Sequence, residues 1–247
     1  MHQLKYIIFF VFTFNSFEVI NATNTYFDLS EDKIEIQTDF IGKEIIIFGI
    51  LEEGKEIILS IKGPIKNSKI QKKERIFGFW FNTKQITYNN IPSTFYIASS
   101  KKVEDILPTS TIIKEELSFN LILENKISNR NFISDASQKI WKNNFVRLKQ
   151  NKNLFRKYEI KNINNKLFQT RVFFPSNSIP GKYTVNIYQI KNNLITGKDE
   201  KFIIIEKSGI GSKIYNFAHN HSAAYGLFTI LFAVISGLIA ATLFRRY

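Results

Sequence analysis

The chain has no cysteine, one methionine, three histidines and five prolines in 247 residues. The missing cysteine excludes disulfides, a thiol nucleophile, thiolate metal sites and iron–sulfur clusters. A folded unit of this size stands without disulfides when it buries a proper core. Histidine is nearly as scarce. His2 lies near the N-terminus, and His219 and His221 fall in "NFAHNHSAAYG". In an extended segment that pair could share a metal, but on a helix the two rings point about 200° apart. No carboxylate stands beside them to complete a set, so they read as interfacial histidines. A Ser-His-Asp triad would have to draw on the same pair, and no G-x-S-x-G elbow exists. Asp39, Glu44 and Glu74 sit in or beside strand patterns and read as solvated. Glycine is sparse and forms no phosphate-cradling loop; "GIG" (Gly209–Gly211) reads as a hinge. No catalytic residue, cofactor or metal site is assigned, and the expectation is a protein that is not an enzyme.

Negative charge is also in short supply. Lysine and arginine number 34 against 21 acidic residues, for a formal charge of +13. The chain is rich in Ile, Lys, Asn and Phe, a set typical of AT-rich coding, so part of the excess reads as base composition. Two clusters stand out. "KNSKIQKKER" carries Lys66, Lys69, Lys72, Lys73 and Arg75, and a later stretch carries Lys139, Lys142, Arg147, Lys149, Lys152, Arg156 and Lys157. They read either as solvated faces or as contacts for an anionic surface: lipid headgroups, or a small anion drawn in by the positive field. On the export side, nucleic acid is not an expected partner.

What the chain does contain is a long apolar run near its C-terminus. From Ala223 to Phe244 no residue is charged, and apolar side chains occur all round the helix such a run would form. That helix would be about 33 Å long at 1.5 Å per residue, against a hydrocarbon core of about 30 Å. A buried core helix, the alternative, is usually shorter and patterned. Arg245 and Arg246 follow at once, and Tyr225 and Tyr247 mark the two ends. Ala233, Gly237 and Ala241 recur every fourth residue, with Thr229 one step earlier. This stripe of small side chains would let a second helix approach closely. Just before the span, residues 208–222 read as a juxtamembrane collar with Ile210, Ile214, Phe217 and Ala218 on one apolar face.

At the other end, "MHQLKYIIFFVFTFNSFEVINA" has Lys5, a short apolar core and Ala22 at a candidate cleavage site. The core is too short to span and suits a secretory signal over residues 1–22; an uncleaved anchor is the alternative. A signal followed by a stop-transfer run places residues 23–222 outside the cytoplasm, with Arg245 and Arg246 as its cytoplasmic anchor. The expected location is a bacterial inner membrane, single-pass, with the domain in the periplasm.

Between these ends the pattern is mainly β. "KIEIQTDF", "KEIIIFGIL" and "KEIILSIKGP" read as strands, the last two separated by "EEG", which reads as a hairpin turn at Gly54. "RIFGFWFN" (Arg75–Asn82) is apolar on both faces and reads as a central strand; "STFYIASS" is another. Residues of about 103–157 read as a helical insert, with Trp141, Phe145 and Leu148 on one face and Asp135/Gln138 as a capping box. Strands return in "KLFQTRVFFP", "GKYTVNIYQI" and "EKFIIIEK". Pro180-Gly181 followed by Tyr183 reads as the tyrosine corner of an immunoglobulin-like β-sandwich. The expected domain, residues 23–207, is one such sandwich interrupted by helices; two small ones is the alternative.

"LSEDKIEIQTDFIGKEIIIFGILEEGKEIILSIKGP", "KKERIFGFWFN", "IPGKYTVNIYQI" and "EKSGIGSKIYNFAHNHSAAYGLFTILFAVISGLIAATLFRR" occur in that order. In this the chain resembles a family of transmembrane proteins found mainly in alphaproteobacteria, over Leu29–Arg246. The most specific stretches are Phe48-Gly49, the spaced set Gly78, Trp80 and Asn82, and the juxtamembrane block ending in Phe244-Arg245-Arg246. The resemblance implies a signal peptide, an extracytoplasmic β-domain and one C-terminal span, with no established activity. It also implies sulfite-exporter-type permeases as genomic neighbours. The expected function is a membrane-anchored accessory or scaffolding protein whose partner is an integral membrane protein. The alternative is a small-anion-binding protein feeding a transporter.

Overall fold

The computed structural model of the chain describes residues 26–128, 135–164 and 166–245. The signal-peptide reading of residues 1–22 and the tail residues Arg246 and Tyr247 lie outside them, as does the Asp135 side chain of the capping box.

Twelve strands and five α-helices make up the described chain. Two sheets face each other. One has the order β1 (Phe27–Leu29), β3 (Gly42–Ile50), β10 (Leu167–Pro175), β9 (Lys161–Ile163). The other runs β2 (Lys33–Ile36), β12 (Leu194–Lys207), β11 (Gly181–Lys191), β4 (Glu56–Lys62), β7 (Phe95–Ser99), β8 (Phe155–Glu159). Each sheet draws strands from before and after the helical insert, so the two halves of the chain build one sandwich. The insert comprises α1 (Val103–Ile106), α2 (Thr109–Lys114), a 3₁₀ turn at Leu121–Leu123 and α3 (Asp135–Asn151).

Strand alternation explains the layering. Along β4, Ile57, Leu59 and Ile61 point into the core between the sheets, whereas Ile58 points into a second core. In β7, Tyr96 and Ala98 face the first core and Phe95 and Ile97 the second. The second core lies against the helices, through Val103, Ile106, Ile112, Leu123 and Phe145. A strand buried on both faces reads as a near-continuous apolar run, and "IILSI" of β4 is apolar except at the buried Ser60. Ion pairs close the seam between sheet and helical layer: Glu116 meets both Lys62 and Lys126 at 3.1 Å, and Lys198 reaches Glu115 at 2.7 Å.

Two expectations from the sequence fail here. The "EEG" segment is not a hairpin, because β3 pairs with β1 and β10 while β4 pairs with β11 and β7. The turn carries the chain from one sheet to the other. Nor is "RIFGFWFN" a central strand. It is the tip of a separate two-stranded hairpin made by β5 (Ile65–Ile76) and β6 (Phe79–Pro92). The base of the hairpin packs on the helical core through Ile86, Tyr88 and Ile91, and its outer half meets solvent on both faces. The doubly buried strands are β4 and β7.

Gly49 and Tyr183 show how closely the sandwich is fitted. A Cβ on Gly49 would lie 2.4 Å from the Tyr26 carbonyl oxygen and 2.6 Å from the Phe168 ring, so no larger residue fits. The Tyr183 hydroxyl donates to the Ile179 carbonyl at 2.9 Å, the bond back to the turn that the sequence predicts.

Candidate membrane and partner interface

Beyond β12 the chain leaves the sandwich at a clamped edge. The end of β12 pairs in parallel with β2, Ser208 Oγ donates to Glu35 at 2.8 Å, and Lys33 meets Glu206 at 2.6 Å and Glu35 at 3.2 Å. Ser208 and then Lys33 hold the Glu35 carboxyl below its ordinary pKa, and Glu206, with Glu35 second, holds the Lys33 ammonium above its own.

Two helices follow, α4 (Ile210–Asn220) and α5 (Ser222–Phe244). The predicted collar is thus a helix. Its apolar side chains Ile214 and Phe217 are exposed. His219 is held locally: Nδ1 lies 3.0 Å from the Tyr215 carbonyl oxygen and its ring stacks on Tyr215 at 3.9 Å. Among the described residues, no group of three or more His, Cys, Asp or Glu side chains is placed to hold a metal. At His221 the backbone departs from helical geometry, and Phe217 packs against Tyr225 and Phe228 across the break.

None of the 23 residues of α5 is buried. At 1.5 Å per residue the helix is about 34 Å long, enough for the hydrocarbon core. Its only side-chain hydrogen bonds turn inward, Thr229 to the Gly226 carbonyl and Thr242 to the Ile239 carbonyl, both 2.8 Å. That pattern satisfies the two threonine hydroxyls without water. Thr229, Ala233, Gly237 and Ala241 all lie exposed on α5, and a Cβ on Gly237 would meet nothing within 4 Å. Arg245 caps the helix, its backbone N–H donating to the Ala241 carbonyl at 3.1 Å.

The basic cluster of the sequence lies on β5. Lys66, Lys69, Lys72, Lys73 and Arg75 are all exposed, and among the described residues only Lys72 has a carboxylate partner, Glu74 at 2.6 Å. Beyond them the strands meet at Phe77-Gly78, where φ is 48° and 86°. Two consecutive positive φ values define the tight turn that suits a twisted hairpin, a place favoured by Asn, Asp and Gly. A phenylalanine there is strained. It is also 97% exposed, with Phe79 at 70% and Trp80 at 69%. Sequence reading missed this tip. The usable signal was basic residues on both sides of "IFGFWF", a pattern that a buried strand does not carry. Between the hairpin and α3 lies a groove of about 440 Å³ with Ile70 and Trp141 in its wall and Lys72, Lys73, Lys84 and Arg147 on its rim.

A last charged feature lies at the base of the hairpin. The Lys149 ammonium is half-buried, donates to the Ser93 carbonyl at 2.9 Å and sits 5.5 Å from the ring centres of Phe145 and Phe155. Burial, with Lys66 and Lys152 adding repulsion, pulls its pKa down to about 8.

A β-rich domain on one apolar, unburied C-terminal helix defines a membrane protein with, among the described residues, a single candidate span. The chain belongs to the family described as Putative transmembrane protein (Alph_Pro_TM), which residues 24–246 match. No curated protein and no solved structure matches the chain.

Proposed function

We propose that this chain is a single-pass, non-enzymatic accessory protein of a bacterial inner membrane. An N-terminal signal exports the sandwich to the periplasm, α5 anchors it, and Arg245 and Arg246 stay on the cytoplasmic side. Through Thr229, Ala233, Gly237 and Ala241 the helix packs against an integral membrane partner, and a sulfite-exporter-type permease is the first to test. The immunoglobulin-like reading of the sandwich belongs here too; the Tyr183 hydrogen bond supports it.

One observation carries the reading. No residue of α5 is buried, and the Cβ side of Gly237 is open, so nothing among the described residues explains a glycine that costs a helix about 1 kcal/mol relative to alanine. A facing helix would explain it. The test is co-purification of the full-length chain from its own membrane in mild detergent. A stoichiometric integral-membrane partner, lost with Gly237→Leu, supports the proposal. Equal recovery with the variant, or no partner after crosslinking, overturns it.

Lys149 favours a second reading, in which the domain binds a small anion for a transporter. Among the described residues this ammonium has no carboxylate partner, and Lys66 and Lys152 add to its field. On this reading sulfate or sulfite raises the melting temperature of the detergent-solubilised chain, and Lys149→Met abolishes the rise. No shift with either anion removes the reading.

A further inference from the structure

We infer that the tip of the β5–β6 hairpin is a second membrane contact, inserting its aromatic side chains into the headgroup layer of an anionic bilayer. The inference is independent of any helix partner for α5.

The tip concentrates apolar surface where folding has no use for it. Ile76, Phe77, Phe79, Trp80 and Phe81 are 41–97% exposed. Register places Ile76 opposite Phe79 and Arg75 opposite Trp80, so successive aromatics point to opposite faces of the two-stranded ribbon. A protein partner would offer one surface and leave the other face wet. A penetrable medium covers both faces at once. Trp80 suits that medium, because its indole joins a large apolar ring to an N–H that stays near water, the reason tryptophan gathers at bilayer interfaces. Phe77 strengthens the case. It holds φ 48° at the apex, a strained choice where asparagine or glycine would serve the turn better.

Charge identifies the bilayer. Between Lys66 and Lys84 there are six basic residues and one acidic, Glu74, a net +5. The five lysines sit behind the aromatic tip, with Lys72 paired to Lys84 across the ribbon, while Arg75 and Glu74 lie within the tip, opposite Trp80 and Phe81. At about 3.4 Å per residue, those two lysines lie about 17 Å from the apex. With the tip buried about 5–10 Å at the acyl boundary, the basic collar stands at headgroup level or just outside it, within reach of lipid phosphates and their surface field. The groove beside the collar carries the same lysines with Arg147 on its rim, extending the positive surface onto α3. The candidate span of α5, in a chain of a transmembrane family, supplies the bilayer.

The test uses the full chain reconstituted through α5. Trp141→Phe leaves Trp80 as the only tryptophan of the two. Vesicles are phosphatidylcholine alone or mixed equally with phosphatidylglycerol, and brominated lipid is placed either in the vesicle that holds the protein or in a second, added population. In the anionic mixture Trp80 emission shifts to shorter wavelength and brominated lipid in one of the two populations quenches it. Both signals weaken in pure phosphatidylcholine and in high salt. Lys72→Glu with Lys73→Glu abolishes them, and so does Phe77→Gly with Phe79→Ser, a pair of changes at exposed positions, the first of which relieves the strained turn. If Trp141→Phe does not fold, an environment-sensitive dye on Asn82→Cys, the sole thiol, gives the same readout. Trp80 that stays accessible to iodide and unquenched in anionic vesicles overturns the inference. So does Trp80 shielded equally in detergent and in neutral lipid, which would assign the tip to a protein contact.

Discussion

Tyr183 and Lys149 show what single side chains do in this domain. The Tyr183 hydroxyl ties β11 back to Ile179, and around it the hydroxyls of Ser93, Thr94 and Ser178 are buried. Tyr183→Phe therefore costs about 1 kcal/mol in chemical denaturation, the net worth of one hydrogen bond, because the Ile179 carbonyl loses its donor. Gly49→Ala costs about 2–3 kcal/mol in the same measurement, because the new methyl overlaps a backbone oxygen that cannot swing aside. For Lys149 the lever is pH. The folded chain gives up this proton near pH 8, while the unfolded chain holds it to about 10.4. Over that window the unfolded state binds more protons, so stability rises with pH, by ~3 kcal/mol at most. Burial pushes the Tyr88 phenol up to about 12, away from this window. In Lys149→Met the rise between pH 8 and 10 is absent from denaturation curves; a wild-type curve flat across it would remove the premise.

At the scale of elements, alternation made most of the sandwich legible. β3, β10 and β11 carry alternating buried residues, and their segments are recognised as strands from sequence. Two misreadings have physical causes. A short turn such as "EEG" joins strands equally well within a sheet or between two sheets, and only the partners of β3 and β4 decide. "RIFGFWFN" looks like a buried strand because periodicity reports how apolar each face is, not whether protein covers it. Glu74, Arg75 and the flanking lysines held the contrary evidence. The α5 stripe was legible as spacing, but its openness at Gly237 was not. Gly237→Leu raises helix propensity by up to about 1 kcal/mol, so a loss of partner crosslinking in that variant cannot be blamed on a failing helix. Retained helicity by circular dichroism with lost crosslinking is the expected pair of results.

For the whole molecule, the features of interest lie outside the sandwich core: an unburied span, an exposed amphipathic collar and an aromatic hairpin tip with a basic flank. The hairpin rests on the helical core through Ile86, Tyr88 and Ile91, and the collar follows directly from β12 at the edge of the sandwich. Removal of residues 222–247 tests the anchor: the truncated chain moves to the supernatant after carbonate extraction, while the full chain pellets. Hairpin contacts of the kind inferred above are peripheral, so carbonate removes them and they do not mask the result.

Orientation is the claim on which the rest depends, and a chain without cysteine is suited to measuring it. A single thiol is introduced at the exposed turn residue Glu53 or appended after Tyr247, and intact cells with a permeabilised outer membrane are treated with a membrane-impermeant maleimide. The account predicts labelling of Glu53→Cys at once and of the appended thiol only after lysis. Labelling of the C-terminal thiol in intact cells, with Glu53→Cys protected, would contradict it.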